Sequence, residues 1–285
     1  MKSGNKQKQK QKQKQKQKQK QKQKQNNNNQ HQSPTLESIK TNYIFWITIL
    51  ASIILISYYT TGNNKNSYIS GIFTYIFIAF WGYLMHYISH SINFTDAYKN
   101  STNIVCRILH QIPLINPIIE TILYYTLDFH SIIHHDTSIN KTPTNVIVEA
   151  VQNFLTQGGL LIIFNNLYKP TFLFKNTTVA VTLNNYILML WALFYATVHN
   201  INYNITHPIE HKNHHIDPKT NYGIDIVDII LNSKYNNNTH PHNHTHNHPH
   251  THTLPTPQPI TIEDHNHAAI NIILITIYLI WPYLS

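Results

Sequence analysis

The sequence predicts an all-α membrane protein: about four transmembrane helices as two hairpins, a cytosolic cap of histidine boxes, a disordered N-terminal tail and a His-rich loop. Three observations predict it. Long uncharged apolar runs recur along the chain, compact histidine clusters stand at their ends, and low-complexity polar sequence is confined to separate segments. The net charge of +9 and mean hydropathy of −0.29 average over these unlike parts.

The tail comes first. Residues 6–25 are a Lys-Gln repeat and Asn-rich sequence follows, so residues 1–42 read as a disordered tail unable to bury apolar surface. Eleven of the 21 basic residues lie in the first 25 positions, leaving ten bases against 12 acids in the body. The body is therefore slightly acidic, and no specific nucleic-acid partner is expected. The tail's lysines would favour the cytosolic side of a membrane. With Cys106 the single cysteine, an intrachain disulfide and any Cys-rich zinc module are excluded, so a metal would rest on His and carboxylates.

Residues 43–60 and 68–85 are uncharged apolar runs joined by the polar turn GNNKN, which predicts a membrane hairpin. Residues 112–127 are apolar but carry Pro113, Pro117 and Glu120, and read as an interfacial or re-entrant helix. Residues 145–164 and 178–198 predict a second hairpin around a polar turn. In its first arm, Glu149, Gln152, Asn153 and Gln157 should face protein rather than lipid. A short amphipathic helix is expected at 224–231, closing a membrane-embedded domain of residues 43–235. A His-rich low-complexity loop (236–262) and a C-terminal apolar helix (263–285) follow; its apolar stretch, 268–284, is short for a span.

Three histidine boxes punctuate this layout: His86 and His90, then His130, His134 and His135, then His211, His214 and His215. On helices, spacings of three and four turn side chains to one face. If each hairpin crosses out and back, all three boxes emerge on the tail's side. Eight imidazoles exceed one tetrahedral zinc and suit a pair of metals with open positions. Nitrogen-rich ligation with vacant sites suits iron that binds dioxygen, and zinc can substitute. His207 lies four residues before His211, with Pro208 interrupting the helix. Asp136, Glu149 and Glu210 are candidate partners for imidazole N–H groups or plain solvated carboxylates. Asn221 reads equally as such a partner or as a turn residue.

The boxes, together with Asn221-Tyr222-Gly223 after the third, resemble the fatty acid hydroxylase/sterol desaturase superfamily of integral-membrane di-iron oxygenases. The likeness covers roughly residues 68–235: WGYLMHYISH at 81–90 resembles the first box, HHDTSINKTP at 134–143 the second, and NYGIDIVDIILNSKY at 221–235 the closing segment. The chain departs from the family pattern in a longer gap between His90 and His130, an extra residue before the His134 pair, and Asn232-Ser233 in place of Gly-Thr. The resemblance implies two Fe ions held by the eight box histidines. It adds His199, at the end of the preceding helix, as a further ligand.

It also implies a membrane lipid substrate of fatty-acyl or sterol type, O2, an external electron donor (a reductase or b-type cytochrome) and an endoplasmic reticulum-type membrane. Hydroxylation is preferred to desaturation on the box spacings. The rival expectations are a metal-binding or zinc-transport membrane protein and an inactive scaffold. Transporters place ionisable ligands inside their spans, whereas residues 43–60 and 68–85 hold none. The densest histidine run, 239–253, alternates with Thr, Asn and Pro and reads as a solvated insertion. No box requires His265 or His267, and Cys106 reads as a small apolar residue.

Overall fold

Residues 33–135, 142–173, 180–235 and 262–285 are described by the structure, a computed structural model. Helix α1 (Pro34–Thr41) opens it, with Pro34 in the first turn, where no amide donor is needed. This corrects the expected boundary of the tail: residues 34–42 are ordered, because the side chains of Ser38 and Asn42 are wholly buried. The Asn42 carboxamide donates to the Glu263 carbonyl (2.8 Å) and accepts from the His265 amide (2.6 Å). Residues 1–32 and the run 239–253 lie outside the described residues.

Helix α2 (Tyr43–Thr61) contains no charge, Gly or Pro and stops at Gly62, whose φ of 98° suits a residue without Cβ. Asn64 caps α3 (Lys65–Ser91) by accepting from the Ser67 amide. Short helices α4 (Phe94–Lys99), α5 (Ile104–His110) and α6 (Ile115–Leu123) then carry the chain to the second box. The box itself lies on π-helical turns, Tyr124–Asp128 and His130–His134.

Next, α7 (Pro143–Phe154), a π turn (Leu155–Gly159) and α8 (Leu160–Tyr168) make one long helical rod kinked at Gly158. As expected for its polar groups, Glu149, Gln152, Asn153 and Gln157 are all buried. The expected second arm, 178–198, is corrected. Its start pairs as strand β2 (Ala180–Thr182), antiparallel to β1 (Thr171–Leu173). Helix α9 begins only at Asn184, which caps Asn185–Thr197 by accepting from the Tyr186 and Ile187 amides.

A π turn at Val198–Asn202 leads through α10 (Tyr203–Thr206) to α11 (Ile209–Ile216), which carries the third box; α12 (Asp225–Ile230) matches the expected short helix. The last long helix, α13 (Ala269–Ile280), packs along α2 and α9. These helices share a core that includes Phe45, Ile49, Ile56, Ile78, Ile187, Leu188, Trp191 and Ile272.

Among the described residues, four helical stretches are long and apolar enough to cross a membrane: Tyr43–Thr61, Lys65–Ser91, Pro143–Tyr168 and Asn266–Tyr283. The C-terminal stretch, expected to be short for a span, thus qualifies, with its flanking turns included. Between 33% and 44% of the apolar window in each stretch is buried, so more than half of each is not fully enclosed by protein. Ile47, Leu274 and Ile163 are each more than half exposed. That distribution suits a lipid solvent better than water.

Candidate metal centre

Each box is delivered by the end of a helix. His86 and His90 occupy the last turns of α3, one above the other. The second box sits on π turns, which widen the helix by a residue and bring His130 over His134, ring centroids 4.9 Å apart. Asp128 holds this turn against α4 by accepting from the Phe94 and Thr95 amides, both at 2.7 Å, and from the Thr95 hydroxyl at 2.6 Å. His211, His214 and His215 stand on the single short helix α11.

The nine expected ligands meet in one belt, five of them buried and His90, His135, His211 and His215 partly exposed. His86, His90, His130, His135 and His214 form one group whose donor atoms all lie within 4.8 Å of one another, and His134, His211 and His215 form a second. His130, Glu149 and His199 make a third that overlaps the first through His130. The two main groups touch where the His135 and His215 rings stack at 4.3 Å.

The nitrogen spacing tests whether metal fits. Four Nε2–Nε2 separations, His130–His86, His214–His90, His215–His134 and His215–His211, fall at 3.0–3.2 Å. With a metal–nitrogen bond of about 2.1 Å, neighbouring ligands are about 3.0 Å apart in an octahedron and about 3.4 Å in a tetrahedron. The observed edges lie in that interval.

Tautomers point the same way. His86 Nδ1 lies 2.8 Å from the Tyr222 carbonyl and His214 Nδ1 lies 2.6 Å from the Thr220 carbonyl. A carbonyl only accepts, so both Nδ1 atoms carry the proton and both Nε2 atoms present lone pairs. Glu149 Oε1 lies 2.7 Å from His134 Nδ1, which sets the same tautomer in that ring, and 3.2 Å from His199 Nδ1. His199 Nδ1 also faces the Asn153 carboxamide nitrogen, a donor, at 3.4 Å. Buried His199 Nε2 and His135 Nε2 have no hydrogen-bond partner. Lone pairs directed at one another out of water are costly unless a cation lies between them.

Burial, reinforced by neighbouring imidazoles, holds His130, His135, His211 and His214 well below the usual histidine range, the Thr220 carbonyl opposing this at His214. The rings are thus in the neutral form that ligates. These buried clusters can hold a metal ion.

The surrounding residues divide differently from expectation. Glu149 contacts two of the rings, as a carboxylate partner should. His207 does not join: it is exposed, with φ of 47°, because Pro208 forces the chain to leave α10 and restart as α11. Asn221 touches no ligand ring. Its φ is 53°, and its side chain donates to the Glu210 carbonyl and accepts from the Tyr235 amide, so it is a turn residue that lines the cavity. Asp136 lies outside the described residues. Glu210 is buried yet makes no ring contact of the Glu149 kind, and its carboxyl is raised chiefly by burial.

Residue-level reading missed Asp128 and Asp228. Asp228 accepts from the Tyr222 and Gly223 amides and the Ser233 hydroxyl, fixing the turn whose carbonyl orients His86. The signal available was an uncompensated acid inside each apolar segment.

A cavity of about 60 Å³ adjoins His86, His199, His211 and His214, walled by Tyr83, Trp191, Phe194, Val198 and Ile224. No protein-family model, curated protein or solved structure matches this chain.

Proposed function

We propose that the chain is a membrane-bound, iron-dependent oxygenase that hydroxylates or desaturates a lipid. The observation that carries this reading is the pair of contiguous histidine groups, with tautomers fixed so that lone pairs converge beside an apolar, aromatic-walled cavity. Nitrogen-only coordination with room for further ligands suits iron that handles dioxygen, and the superfamily resemblance of the boxes agrees. Bound there, a pair of irons would supply reductive activation of O2. His86, His90, His130, His135 and His214 would hold one ion, and His134, His199, His211 and His215 the other.

The protein's own residues do the rest. Tyr222, Thr220 and Glu149 hold the ligand rings in register. Trp191, Phe194 and Val198 bind alkyl chain and exclude water, which protects a reactive oxidant from side reactions. Four apolar stretches would embed the cavity at the depth where such a chain lies. With the lysine-rich tail in the cytosol, the hairpin of α2 and α3 returns His86 and His90 to that side, accessible to a soluble or membrane-bound electron carrier. An endoplasmic reticulum-type membrane and the fatty-acyl or sterol class belong to the same proposal.

Purified in detergent, the protein should contain about two irons per chain, and lipid extracts of expressing cells should contain an oxygenated product lost in His214→Ala. Metal flux into liposomes without oxygen consumption would establish the transport reading instead.

A further inference from the structure

The cavity has a second chemical wall opposite the histidines, formed by Tyr203, Lys234, Glu263 and His265. The Tyr203 ring lies 4.6 Å from the His211 ring and 5.8 Å from the His199 ring, and Tyr203 and Glu263 line the same cavity, where the carboxyl acts on the hydroxyl. Glu263 is 7% exposed, and its Oε1 has no hydrogen-bond partner; His265 Nε2 beside it is equally orphaned. Lys234 does not neutralise Glu263 outright, because its ammonium is bonded to Asp225. Asp225 in turn accepts from the Glu263 amide at 2.9 Å and faces the Ser38 hydroxyl.

We propose that Glu263, acting through the Tyr203 hydroxyl, delivers protons to the histidine-lined cavity. This rests on the oxygenase reading. Hydroxylation follows C–H + O2 + 2e⁻ + 2H⁺ → C–OH + H2O, the electrons coming from the external carrier. The ring N–H groups of His86, His134 and His214 are committed to Tyr222, Glu149 and Thr220, so the protons need another route. In each transfer the Glu263 O–H bond breaks and its proton passes to the Tyr203 oxygen. The Tyr203 O–H proton moves to reduced oxygen in the cavity, and solvent reprotonates Glu263 at the edge where Asp264 is exposed. Two such transfers complete a turnover.

The groups facing Glu263 suit this role. Burial raises its carboxyl to about 7, Asp225 adds to the rise, and Lys234, His267 and the Tyr203 hydroxyl oppose it. Glu210, on α11, faces it as a further acid, and His265 shares its segment.

The test uses the full-length iron-loaded protein and the variants Glu263→Gln and Tyr203→Phe. Infrared titration of the wild type should show a protonated carboxyl signal that persists above the ordinary carboxylate range, is lost on further alkalinisation and is missing in Glu263→Gln. Both variants should keep their iron, continue to consume electrons, release hydrogen peroxide, and form product about 100-fold more slowly. Tyr203→Phe removes one oxygen and keeps the ring packing, so it serves where Glu263→Gln folds poorly. A wild type that hydroxylates while Tyr203→Phe matches its rate and pH profile overturns this proposal alone. A wild type that consumes no oxygen overturns the oxygenase reading together with it.

Discussion

Glu149 is the most informative residue to change, because one carboxylate oxygen stands beside two expected ligand rings, His134 of the second box and His199, which belongs to no box. It stands 2.7 Å from His134 Nδ1 and 3.2 Å from His199 Nδ1, with both rings and the carboxylate buried. In Glu149→Ala the His134 N–H loses its acceptor and that ring becomes free to adopt the other tautomer, which would turn N–H toward a metal, while His199 loses the carboxylate beside it. Losing one such partner weakens metal binding by about 10–100-fold, or about 1.4–2.8 kcal/mol. A carboxylate beside two rings puts Glu149→Ala at the upper end of that range.

Glu149→Gln keeps an acceptor oxygen but no charge, and should fall between the two. Chelator competition on detergent-solubilised protein, with metal content read by mass spectrometry, measures both variants against the wild type. Unchanged affinity in Glu149→Ala, with circular dichroism showing an intact helical fold, would refute the tautomer argument.

Other outcomes follow from the same geometry. His207→Ala should leave metal content unchanged while His215→Ala lowers it, measured in parallel preparations. Asp228→Ala strands the buried Tyr222 and Gly223 amides and should lower stability by about 2–5 kcal/mol, read as a fall in thermal midpoint. Gly158→Ala would place a Cβ 2.8 Å from the Leu188 carbonyl and 3.0 Å from the Ala192 Cβ. The rod and α9 must then separate, costing about 1–3 kcal/mol in a denaturation assay.

The metal-free protein should lose stability on acidification. His130, His135, His211 and His214 are depressed in the folded state, so below pH ~6.5 the unfolded chain binds more protons. The loss therefore begins near that pH and continues as it falls; a flat profile between pH 7 and 5 would contradict it.

What the chain discloses before folding follows from periodicity and spacing. The apolar runs announce α2, α3 and the α7–α8 rod, and the polar residues inside the rod announce that one face meets protein. The boxes are legible because three- and four-residue spacing aims imidazoles together on any helix. His199 is different: it stands alone at a helix end, and only the resemblance pointed to it, since sequence does not show that Glu149 waits beside it. His207 fits the spacing to His211 but not the backbone, since Pro208 separates the two. The turn at Asn221–Gly223 was legible, but its purpose was not, because a main-chain carbonyl that orients His86 leaves no trace in side-chain chemistry. The Glu263 wall was unreadable for another reason. It assembles from residues 203, 234 and 263, which no local pattern connects.

That assembly sets an order of events during synthesis. The ligands span residues 86 to 215, yet the wall that closes their cavity includes Glu263 and His265, tied back to Asn42 across more than 220 residues. At about 5–20 residues per second, all three boxes leave the ribosome seconds before the segment that seals them. During that interval the imidazoles are open to any available cation. On the reading that these rings bind metal, that interval would be a window for loading before residues 262–283 dock beside the cavity.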